Sequence, residues 1–178
     1  MSGRAAAVAL AAAGLTLASA VPAGATQTTS QQFFSARLQA DEETSREVRA
    51  LLRTNEGFVD RAVAFKELTG DGRADAVVRV QSGGASGAVA LYVFSTDTGR
   101  GRVRGLQVVF RSQELRQAHT RVRDGVLRYR SARPQPGDEL CCPSAVAESR
   151  LRWRERRHRF EVVERREVTP DSPWGDQI

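Results

Sequence analysis

The chain has 178 residues and a formal net charge of +6, and Lys66 is the one lysine among its 27 basic residues. With 40% hydrophobic but only 6% aromatic residues, it can bury the modest core of one domain. Past the N-terminal leader no apolar run reaches the ~20 residues of a membrane-spanning helix, and a pI near 10.5 favours anionic partners over cationic ones.

The N-terminus carries the three regions of a secretory signal in order. Arg4 supplies the positive start, Ala5 to Val21 is almost wholly apolar, and Ala23-Gly24-Ala25 is a small-residue cleavage signal. Residues 1–25 are therefore expected to be removed, leaving a secreted or envelope-located single α+β domain over 26–168 and a flexible tail over 169–178. No cysteine lies near the cleavage point to take a lipid.

Gln31 to Arg53 reads as one or two helical stretches, the better one starting near Asp41-Glu42-Glu43-Thr44. Acidic residues there and Arg49 and Arg53 at the other end suit the helix macrodipole. Val48, Leu51 and Leu52 give one apolar stripe, and Gly57 is the expected stop. Strands are predicted over Ala62–Leu68, Asp75–Gln81, Ala88–Ser95, Val103–Arg111, Ala118–Arg123, Val126–Ser131, Ser149–Glu155 and Phe160–Val168. Ala88–Ser95 is apolar on both faces, as a covered central strand must be. The glycine-rich Ser82–Gly87 leads into a strand, not a helix, so it is a hairpin loop and not a phosphate cradle. Asp124-Gly125 is the strongest hairpin signal, and Ala132–Ala145 reads as a loop. The expected fold is α+β: an N-terminal helix packed on a mostly antiparallel meander of about seven or eight strands.

Three features bear on function. The first is the segment from Glu67 to Asp75. Oxygen side chains at Glu67, Thr69, Asp71 and Asp75, with the carbonyl of Arg73, alternate as hard ligands for Ca²⁺ would. The segment resembles the calcium loops of integrin-type FG-GAP repeats, although Glu67 and Thr69 depart from that pattern, and Val78 stands where an EF-hand needs glutamate. The competing reading is a plain turn in which glycines supply the unusual φ and Asp71 bonds its own backbone.

The second is Cys141-Cys142, the two cysteines of the chain. In an oxidising compartment they are expected to form a vicinal disulfide, with intermolecular pairing and redox work as alternatives. His119 and His158 stand at no zinc-ligand spacing from them.

The third is a pair of arginine rows. A two-residue turn at Asp124-Gly125 sets Arg121 opposite Arg128 and His119 opposite Arg130, leaving Val122, Leu127, Thr120 and Tyr129 for the core. Arg150, Arg152 and Arg154 alternate with Leu151 and Trp153 in the last hairpin. If the hairpins are neighbours, these six arginines form a face able to grip carboxylate or phosphate. The competing reading is a solvated face offset by Glu155, Glu161 and Glu164. Nucleic acid is not the expected partner, because aromatics for base stacking are not evident on that face.

The stretch LTGDGRADAVVRVQSGGASGAVALYVF (68–94), with Cys-Cys-Pro-Ser at 141–144 and the strand containing Trp153, is similar to exported actinobacterial proteins related to the LppP/LprE-type lipoproteins. The resemblance implies a small envelope domain. It carries over no catalytic residue, and this chain lacks the lipidation cysteine. The expected function is non-catalytic binding or structure at the envelope, through an anionic wall polymer or an acidic protein. A calcium-stabilised adhesion module and a thiol-redox or hydrolytic enzyme are the alternatives.

Overall fold

The computed structural model describes residues 28–96, 105–139, 141–172 and 174. The expected signal peptide lies outside them, as do Val103 and Arg104 of the strand expected over Val103–Arg111. Where one helix was the expected minimum, there are two: α1 (Thr29–Ala40) and α2 (Arg46–Thr54). Asp41–Thr44 does not start a helix, because the Asp41 carboxylate accepts from the Glu43 N–H at 3.3 Å and the Thr44 hydroxyl at 3.0 Å, which favours a turn over helix. Ser45 then caps α2 through the Val48 N–H. At the front, Thr28 and Gln31 form a reciprocal capping box on α1. α2 ends at Asn55, which is left-handed at φ 59°, two residues before the predicted stop.

Gly57 instead opens β1 (Gly57–Val59), a strand the pattern does not announce. It must be glycine there, since a Cβ would sit 2.7 Å from the Gln81 carbonyl oxygen. The other strands are β2 (Ala64–Lys66), β3 (Asp75–Ser82), β4 (Ala88–Ser95), β5 (Gln107–Ser112), β6 (His119–Arg123), β7 (Val126–Ala132), β8 (Val146–Arg154) and β9 (Arg159–Val168). All pairings are antiparallel.

The strands divide into two sheets where one was expected. The first runs β1-β3-β4-β5, with β2 also on β3, and the second runs β6-β7-β8-β9. One apolar cluster joins Phe34, Leu38, Val48 and Leu52 of the helices to Val78, Val80, Ala90, Tyr92 and Phe94. A second joins Val77, Leu91, Val93 and Val109 of the first sheet to Leu127, Tyr129, Leu151 and Phe160 of the second. The layers are therefore helices, sheet, sheet. β4 is apolar on both faces because helices cover one and the second sheet covers the other.

Polar anchors tie the layers. Buried Gln31 donates to the Val59 carbonyl at 2.7 Å. Gln113 accepts from Tyr92 at 2.8 Å and from the Ser45 N–H, which holds the interhelical turn on the sheet. Each such bond satisfies a group that burial would otherwise penalise by about 1–3 kcal/mol.

Candidate anion-binding face

The second sheet has its core face toward the first sheet and its other face outward. The β6–β7 register is the predicted one: Arg121 pairs with Arg128 and His119 with Arg130 across a turn in which Asp124 and Gly125 both have positive φ. β7 pairs with β8, so the two hairpins are neighbours, with Arg128 opposite Arg150 and Arg130 opposite Glu148. Leu127, Tyr129 and Leu151 are buried on the core side, and Arg152 and Arg154 stand exposed on the other. Arg121 is half-buried.

β8 begins at Val146, not Ser149, because Ala147 and Ser149 continue the inward alternation across from Ser131 and Tyr129. That correction brings in Glu148, which sequence reasoning missed. It is 3% exposed and lies among three arginines. Arg130 approaches one carboxylate oxygen with Nε at 2.7 Å and Nη2 at 2.6 Å. Arg166 of β9 reaches the other oxygen at 2.8 Å, and Arg128 stands 3.5 Å from it. Burial pushes the Glu148 carboxyl up, but the bonds and charges of Arg166 and Arg130 outweigh it and hold the carboxyl below its ordinary value.

A second cluster repeats the ratio at the other end. Glu161 pairs with Arg157 at 2.7 Å, Arg159 at 3.1 Å and Arg154 at 3.3 Å. Arg150 lies 3.9 Å from Glu164. The carboxylates thus order the arginines without cancelling them, since each of Glu148 and Glu161 is shared by three guanidinium groups. Arg152 forms no ion pair among the described residues, although it faces Glu161 in the register.

The stretch from Thr169, expected to be a tail, includes two residues that lie on this face. The Ser172 carbonyl accepts from Arg130 at 2.6 Å, and the Trp174 ring lies 4.4 Å from the Arg130 guanidinium carbon. Beside them Cys141 and Cys142 are bonded to each other, and with Pro143, His119 and Trp174 they border a recess of about 610 Å³. Cys141, Cys142 and Glu139 are mutually close, and all three are exposed.

The Glu67–Asp75 loop spends much of its oxygen on its own backbone N–H groups. Glu67 accepts from the N–H groups of Thr69 and Gly70 at 2.9 and 2.8 Å. Asp71 accepts from the Arg73 N–H at 2.8 Å and from the Thr96 hydroxyl at 3.0 Å. Asp75 is 1% exposed; its Oδ2 accepts from the Leu68 N–H at 2.8 Å, while Oδ1 is buried without a partner. Burial raises the Asp75 carboxyl, and the charges of Asp71 and Glu67 raise it further against the bonds from Ser95 and Leu68. Among the described residues, the loop carboxylates do not converge as three ligands within 4.8 Å of one another. The bonds that Glu67 and Asp71 accept from the loop's own N–H groups are those of a self-bonded turn.

Among the described residues no helix is long and apolar enough to cross a membrane. No protein-family model, curated protein or solved structure matches the chain.

Proposed function

We propose that the protein is an exported, non-catalytic module of the cell envelope that holds an anionic wall polymer against the outward face of its second sheet. The observation that carries this reading is the charge ratio. Each of two carboxylates is shared by three guanidinium groups, so each cluster keeps an excess of positive charge. The geometry supports repeated contact, because arginines at alternate positions of neighbouring strands stand roughly 5 to 7 Å apart, a spacing suited to successive anionic groups of a chain. The signal-like N-terminus, Arg4 to Ala25, supports export.

The test is retention of the mature domain on purified cell-wall material across a salt series. Retention should weaken as salt screens exposed charges, and Arg121→Glu with Arg152→Glu should abolish it. Retention unchanged by those reversals, or insensitive to salt, refutes the reading. Binding only to acidic proteins, with none to wall material, replaces the polymer by a protein partner.

A further inference from the structure

We propose a second, discrete anion site at the end of the two sheets, where Arg116, Arg133 and Arg165 border a recess suited to a phosphate group. It goes beyond the polymer-holding face, because none of these three arginines belongs to that face. The recess has a volume of about 530 Å³, within the range of small-ligand sites.

Small residues make the space. Ala132 and Ala147 line it, and Ser149 next along β8 is also small. The backbone bearing each arginine is fixed. The Arg116 N–H donates to the Ser131 hydroxyl at 3.1 Å, and its carbonyl accepts from the Ala132 N–H at 2.8 Å. The Arg133 N–H donates to the Ala145 carbonyl at 2.9 Å. Arg165 sits in β9 opposite Ser149, and its Nε lies 3.4 Å from that hydroxyl.

Among the described residues, Arg116, Arg133 and Arg165 have no carboxylate within 4.0 Å. Arg166 also lines the recess while it holds Glu148. Glu114 and Glu167 are the carboxylates of the lining, so the three guanidinium groups outside an ion pair exceed them by one. Three forks brought from three segments, the β5–β6 connection, the β7–β8 connection and β9, suit an oxyanion with acceptors in three dimensions, whereas the acceptors of a carboxylate lie in one plane and a single fork can meet both oxygens. The shared chemistry is a phosphate, either free or as a monoester.

The test uses the mature protein at low ionic strength, following arginine Nε–H resonances during titration with inorganic phosphate, glycerol phosphate and acetate. The expected result is saturable shifts of Arg116, Arg133 and Arg165 with a phosphate probe and weak, non-saturating ones with acetate. Tighter binding of inorganic phosphate marks a free anion, and tighter binding of glycerol phosphate marks an ester. Arg133→Gln and Arg165→Gln should each weaken phosphate binding about tenfold, a loss of ~1.4 kcal/mol. Because both side chains are exposed, the fold should survive these changes. Arg121→Gln should leave phosphate binding unchanged, and wall retention should persist in Arg133→Gln, so the two readings fail separately. Equal responses to acetate and phosphate, or unchanged affinity in both recess variants, overturn the proposal.

Discussion

Replacing Glu148 by alanine takes one carboxylate from among Arg128, Arg130 and Arg166 and leaves a buried cation without its counter-charge. The Glu148 and Arg130 side chains are 3% and 7% exposed, so water cannot replace the lost partner. Removing one member of such a buried pair costs about 3–5 kcal/mol. With a urea m-value of ~2 kcal/mol/M, the unfolding midpoint should fall by roughly 1.5–2.5 M. Arg166→Ala is the control: its side chain is 43% exposed, and its loss should cost about 0–1 kcal/mol. The double variant Arg130→Met, Glu148→Leu should recover most of the loss, because no buried charge remains unpaired. The pH dependence has a defined sign. The folded Glu148 carboxyl lies below its ordinary value of 4.5, so its contribution is complete above that value and is lost as pH falls through the folded pKa. The gap between the wild type and Glu148→Gln should therefore close in acid. A midpoint shift for Glu148→Ala no larger than that for Arg166→Ala would refute the buried-pair argument.

Further tests address the loop, the first sheet and the disulfide. Asp75 titrates above its ordinary value of 3.8, so the wild type should lose stability as pH rises through the raised pKa. Asp75→Asn should remove that slope and be at least as stable at neutral pH, as thermal melts across pH would read. A melting midpoint that rises with calcium, falls with chelator and becomes indifferent to both in Asp75→Asn would establish the metal reading of the loop. Gly57→Ala should cost about 1–3 kcal/mol by urea unfolding, because its Cβ would meet the Gln81 carbonyl. Cys141→Ser with Cys142→Ser should barely change the melting midpoint, since the bridge joins adjacent residues and closes no chain loop in the unfolded state.

Local pattern made much of the fold legible. Asp124-Gly125 gave the β6–β7 register residue by residue, because a two-residue turn leaves no freedom in the pairing. The doubly apolar Ala88–Ser95 told that both faces of β4 are covered, yet not that the second cover is another sheet. Nothing in a strand's own residues distinguishes a helix from a sheet as its neighbour. Helix α2 begins at Arg46 and not near Asp41, because a side chain that satisfies the backbone locally looks, in sequence, like an acidic helix start.

The arginine face divides in the same way between local and distant causes. Its alternation lies within single strands and was open to reading, while its charge balance depends on which strands meet. Glu148 lies opposite Arg130 only through a pairing that crosses the long β7–β8 connection, and Arg166 joins them from a third strand. Placing the β8 start three residues late removes that glutamate from the face and makes every arginine look equally available. With it in place the arginines separate by what holds them. Arg128, Arg130 and Arg166 are drawn to Glu148 and set the shape of the surface, whereas exposed Arg152 forms no ion pair among the described residues. A long arginine held by a neighbouring carboxylate has already lost much of its side-chain freedom, so under the proposed function an anion would meet a partly ordered surface and pay less of the entropy of arranging it.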